Sequence, residues 1–273
     1  FIYVPNKLPL GVCMRFGFVL RVSVTVVVLM VAFCMILPVA KAGSVEPLSW
    51  TSPTTNDLWS VFMLDATNGW AVGDSGTIIR WDGVQWSSVT SPTTNTLCSV
   101  FMVSATDGWA VAPIGTIIRW NGTKWSKVTC PVAVPLWSVF MVNASDGWVV
   151  GYAGTIIRWN GTGWNSVASP TANTLHSVFM VSADDGWAVG EVGTIIRWNG
   201  TQWSNVIRPN PPTNTLTSVF MVNTNNVWMV GTDGMLIHWV GGVWWGQESG
   251  WLGSLYSVYM VSSDDGWAVG ANG

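Results

Sequence analysis

The chain has 273 residues, of which only 9% are charged and 21 are tryptophan, against 4 tyrosines and 9 phenylalanines. Typical soluble domains carry about 25% charged residues, so surface ion pairs cannot supply most of its stability; abundant glycine with β-branched residues favours turned strands over helices. From Gly43 onward the formal charge is −7, which repels phosphate backbones and excludes nucleic acid as an expected partner.

The first element in chain order is a leader. Met14 is followed by Arg15 and Arg21, an uncharged stretch from Val22 to Ala40, and Ala40-Lys41-Ala42 before Gly43. A positive start, an apolar stretch and small-x-small residues make a secretory signal. Residues 1–42 are therefore expected to be a signal peptide cleaved after Ala42, with Met14 as the true start. The alternative is an uncleaved membrane anchor, since the stretch is long enough to span a bilayer. Either reading places the rest of the chain outside the cytoplasm: secreted, periplasmic or at the cell surface. Cys98 and Cys130 lie beyond the leader. They pair in an oxidising compartment or remain free thiols, and their spacing matches no metal site.

Residues 43–273 are dominated by a repeat of about 39 residues. Trp70, Trp109, Trp148, Trp187, Trp228 and Trp267 recur in register. So do Trp81, Trp120, Trp159, Trp198 and Trp239, and also Trp86, Trp125, Trp164, Trp203 and Trp244. One unit reads LCSVFMVSATDGWAVAPIGTIIRWNGTKWSKVTCP and divides into four strand-like pieces: a (SVFMV), b (GWAV), c (GTIIRW) and d (KWSKV). Asn-Gly at 121–122, 160–161 and 199–200, and Asp-Gly at 82–83, predict type I′ hairpin turns between c and d. The Asp-Gly of the DGW element is expected to turn a into b. SPTTNT and SPTANT are connections between units.

Four antiparallel strands per repeat of about 40 residues predict an all-β fold, a β-propeller of four-stranded blades. The units fall at about 57–95, 96–134, 135–173, 174–214 and 215–254, with a partial unit at 255–273. Residues 45–51 align with strand d and are expected to close the sixth blade. Strand c of that blade would follow Gly273, so a longer chain is expected. The tryptophan columns should form the blade-to-blade contacts.

The motif DGWAVGxxGTIIRWNGTxW resembles the propeller repeats of photosystem II stability and assembly factors and their non-photosynthetic bacterial and archaeal relatives. Those repeats are related to the BNR or Asp-box repeats of sialidases. The resemblance covers residues 45–273 and implies a propeller. Where the family carries Asp-Gly-Gly before Thr-Trp, this chain has Asn-Gly-Thr-x-Trp.

Two columns are candidate ligand sites. The first is Arg80, Arg119, Arg158 and Arg197, with His238 in the fifth unit. It reads either as a basic ring for an acidic peptide or anionic glycan, or as structural pairing with Asp107, Asp146 and Asp185. The second follows the repeated Leu: Trp59, Cys98, Trp137, His176, Thr217 and Tyr256. Its variability between nearly constant neighbours suits recognition, with loosely constrained packing as the alternative. The variable pair of GxxGT, such as Tyr152-Ala153 and Glu191-Val192, belongs with it. Asn121, Asn143, Asn160 and Asn199 are glycosylation sequons.

No catalytic constellation, cofactor site or metal site is identifiable. A sialidase-like centre needs an arginine cluster, a Tyr–Glu pair and an acid, whereas four of the five arginines after residue 43 belong to one regular column. The expectation is a non-catalytic protein-interaction scaffold. Carbohydrate binding is the second reading and sialidase-like hydrolysis the third, with the protein or glycan held at one propeller face.

Overall fold

The computed structural model describes residues 2–3, 52–209, 212–248 and 253–271. The leader, apart from the two-residue strand Ile2–Tyr3, lies outside the described residues, and so does the expected closing strand at 45–51. No described helix is long and apolar enough to cross a membrane.

Five four-stranded antiparallel sheets follow one another along the chain, each in the order a-b-c-d. The first has strands Leu58–Asp65, Asn68–Gly73, Ile78–Trp81 and Trp86–Ser88. The others occupy 99–128, 136–166, 175–205 and 216–248. A sixth sheet contains Leu255–Met260 and Gly266–Gly270, with Ile2–Tyr3 paired along its edge.

Strand a is innermost, and neighbouring a strands meet directly. The N–H of Val100 donates to the Ser60 hydroxyl at 3.1 Å, and the same bond joins Val139 to Ser99, Val178 to Ser138, Val219 to Ser177 and Val258 to Ser218. Beside these bonds the Phe62, Phe101, Phe140, Phe179 and Phe220 rings contact one another in succession, beginning with Phe62–Phe101 at 4.6 Å.

The tryptophans join blade to blade, as their spacing predicts. Trp109 of strand b packs on Trp159 and Trp164 of the next blade at 4.8 and 5.2 Å, the second pair edge to face. Trp70 with Trp120 and Trp125, and Trp148 with Trp198 and Trp203, repeat the contact. Burying one indole is worth about 4–6 kcal/mol before entropy, at ~25 cal/mol per Å² over roughly 150–250 Å². These clusters are therefore the main cohesion of a chain with so few charges. The c-strand indoles also donate inward: Trp120 Nε1 to the Ala105 carbonyl and Trp159 Nε1 to that of Ala144, both at 3.1 Å.

Two turn expectations are corrected. The c–d turns are four-residue loops, because pairing stops at Trp120↔Trp125 and its equivalents. Only the glycine takes a left-handed φ, 90° at Gly122, while Asn121 Oδ1 caps the loop by accepting from Thr123 and Lys124. The type I′ turn occurs instead at Gly241-Gly242, with φ 58° and 86°, between the paired Val240 and Val243. Likewise Asp107-Gly108 does not turn a into b. It begins strand b opposite Met102 and Ser104, and Ala105-Thr106 makes the turn.

Candidate functional site

Register decides where each candidate side chain lies. Strand a begins where strand b ends, as Leu136 opposite Gly151 illustrates, and it finishes beside the start of b, at Asn143 opposite Asp146. The variable column and the b–c turns therefore share one end of the propeller. The arginines sit near the other end: Arg158 pairs with Trp148, one step from Gly147↔Trp159. The two candidate columns do not form one site.

The arginines are enclosed by their own blades. Arg119 Nε and Nη2 donate to the two oxygens of Asp107 at 2.8 and 3.1 Å, and Arg158–Asp146 and Arg197–Asp185 repeat this fork. Arg119 also lies 4.7 Å from the Trp109 ring and 5.6 Å from Trp159 of the next blade. Hydrogen bonding to Asp146 pushes the Arg158 pKa further up. Arg80, facing Asn68 instead of an aspartate, keeps one 3.3 Å bond. His238 takes the same position in the fifth blade, stacked on Trp228 at 3.7 Å and bonded to Asn226 at 2.9 Å. The fork and the ring contacts satisfy Arg119, Arg158 and Arg197 without a ligand, each remaining partly open to solvent, whereas Arg80 Nε is buried with no hydrogen-bond partner among the described residues.

The variable end is different. Trp59 and Tyr256 are exposed, at 57% and 47%. Trp59 Nε1 donates to Asp74 Oδ1 at 2.7 Å, which links the variable column to the b–c turns. Trp137 and His176 are half-buried, with rings 6.3 Å apart. Burial pushes the His176 pKa down, and Glu191 partly opposes this. Thr217 is tied to the next blade by its bond to the Leu255 carbonyl. Cys98 and Cys130 are free thiols.

The b–c turns add residues to this end. Ile114, Val192 and Tyr152 are exposed. Ile114 and Val192 hold left-handed φ values of 62° and 53°, a strained state for a β-branched side chain. The glycine after each is obligatory in this geometry: at Gly154, φ 72°, a Cβ would overlap the Thr171 carbonyl. Periodicity marked these turns as variable, but neither their strain nor their exposure was readable from it.

The sequon asparagines Asn121, Asn143, Asn160 and Asn199 are exposed on turns at the arginine end, where each Oδ1 caps its own loop. Among the described residues no three His, Cys, Asp or Glu side chains group to hold a metal ion.

No family model and no curated protein sequence matches the chain. Solved structures do. The WD40 repeats of RRP9 match with a TM-score of 0.63 at 9% identity, over 78% of this chain and 80% of that one. The WD40 β-propeller domain of Doa1 matches at 0.57 and 13% identity, over 80% and 91%. YCF48 from Cyanidioschyzon merolae matches at 0.51 and 15% identity, over 82% and 95%. Likeness at these identities is one of fold: the chain is a β-propeller.

Proposed function

We propose that the chain is an extracytoplasmic, non-catalytic propeller that holds a protein partner on its variable end, and that it is a non-photosynthetic relative of the assembly-factor propellers its repeat resembles. One observation carries the binding reading. Exposed Trp59, Tyr152 and Tyr256 gather at one end of the repeat, where strained, exposed Ile114 and Val192 also lie. Rigid amphipathic rings on a fixed frame suit protein contacts. Strain held in exposed turns is common at ligand clamps. Export rests on the leader, and the non-catalytic reading on the absence of a recognisable catalytic constellation in the sequence.

Site-specific photo-crosslinking tests this reading. A crosslinker at Tyr152 or Tyr256 is expected to trap a discrete protein from the host's extracytoplasmic fraction, while one at Asn160 or Asn199, at the opposite end, traps none. Equal trapping from both ends, or none from either, sinks it. Exposed aromatics also stack on sugars, which keeps a carbohydrate ligand as the second reading. Sugar-competable binding on a glycan array, lost in Trp59→Ala, favours that second reading over the first.

A further inference from the structure

We infer that the variable end takes a cationic protein segment, rich in lysine or arginine; this rests on the protein-binding reading and adds the charge of the partner. Three of the five b–c turns place a carboxylate there: Asp74, Glu191 and Asp233. Each is anchored through a single oxygen. Asp74 Oδ1 accepts from Trp59 Nε1 and from Thr96 Oγ1. Glu191 Oε2 accepts from the Thr174 N–H at 3.3 Å, and Asp233 Oδ2 from Asn214 Nδ2 at 2.9 Å. The second oxygen of each is unbonded among the described residues.

Among the described residues no cation is bonded to any of the three. Arg80, Arg119, Arg158 and Arg197 lie toward the opposite end, three of them forked onto aspartates. Lys124 lies in a c–d turn, at that same opposite end, and Lys127 on the outermost strand, while Arg208, on the connection that leads into the fifth blade at the variable end, lies over the Trp244 ring of that blade's outer strand at 5.8 Å. His176, the titratable cation of the rim, is disfavoured in its charged form by burial. At the arginine end Asp107, Asp146 and Asp185 are paired, Asp65 and Asp82 are consumed as loop caps, and exposed Asp184 acts on Arg158 through its charge.

The carboxylates are interleaved with rings. Trp59 touches Asp74, Tyr152 occupies the turn position equivalent to Asp74 and Glu191, and Tyr256 stands at the entry of the sixth blade. Ring faces and carboxylates together attract ammonium and guanidinium groups. Anionic or neutral segments gain nothing from the carboxylates and desolvate them at a cost.

Fluorescence anisotropy decides the matter with three fluorescein-labelled peptides, identical except that every third residue is lysine, glutamine or glutamate. The intact chain is expected to bind the lysine peptide roughly ten-fold or more tightly than the others, with affinity falling as salt rises. Asp74→Asn/Glu191→Gln/Asp233→Asn should lose roughly that ten-fold. Its three amides keep the anchoring acceptors, and Asn tolerates the left-handed φ of Asp233. Asp82→Asn/Asp184→Asn/Asp264→Asn makes the same charge change at the opposite end and should retain binding. Equal affinity for the glutamine peptide, unchanged binding by the first variant, or equal loss in the second overturns the inference. If lysine and glutamine peptides bind alike and Trp59→Ala weakens both, the charge inference falls while the protein-binding reading stands. Binding of none of the three also overturns the inference, and the crosslinking result then judges the wider reading alone.

Discussion

Arg158 lies over the ring of Trp148 in its own blade, 4.8 Å from the centroid, and reaches Trp198 of the following blade at 5.5 Å. With the Asp146 fork it forms a bracket across a blade interface. Arg158→Ala is therefore expected to lower stability by about 1–3 kcal/mol. Arg158→Lys should fall between, because an ammonium keeps the charge but not the planar fork. Urea unfolding of the two variants checks both the size and the order. Ligand capture at the other end should be unchanged.

Val192 and Ile114 carry the opposite prediction. Their left-handed backbones are uncomfortable for branched side chains and natural for asparagine. Val192→Asn and Ile114→Asn should each raise stability by about 1 kcal/mol. Capture of the partner should weaken in the same variants, since the exposed apolar side chain is gone. A thermal melt and a binding titration on the same sample read the two effects together.

Burial pushes both histidines, His176 and His238, below their ordinary value of 6.5. The fold favours the neutral rings, so the unfolded chain takes up protons first as pH falls. Stability is then full above 6.5 and is lost as pH falls through that value toward the lower folded pKa values. His176→Gln/His238→Gln should show a shallower decline in unfolding free energy between about pH 7 and pH 5.

The Cys98 thiol is pushed up to about 11 by burial, and nearby Asp74 adds to the shift. Burial also raises Cys130. At about pH 8 a free thiol is appreciably ionised, but these two should alkylate slowly in the folded protein and rapidly in urea. Mass spectrometry after a short iodoacetamide pulse is expected to find Cys98 the slower of the pair.

The blades and their interfaces were legible because tryptophan at a fixed spacing marks both the strand and its contact. The turns were less so. Asn121-Gly122 reads as a tight turn from residue types alone, yet the Trp120↔Trp125 pair lies too far apart in sequence for a two-residue loop. Asp107 reads as a turn former, but its carboxylate is needed on Arg119 at the start of strand b. Of the candidate site, the columns were visible and their separation was not. Which end a side chain occupies depends on register, and no residue type records that. The strain at Val192 was hidden for a related reason, since a branched side chain argues against the backbone it adopts.

The serine hydroxyl that accepts the next strand's valine amide is the same at all five junctions from Ser60 to Val258. A tie made to the main chain is indifferent to what the following unit carries elsewhere. Excising one 39-residue module would leave a serine facing a valine across the new join, as before. The molecule is in this respect a series of like couplings without a keystone.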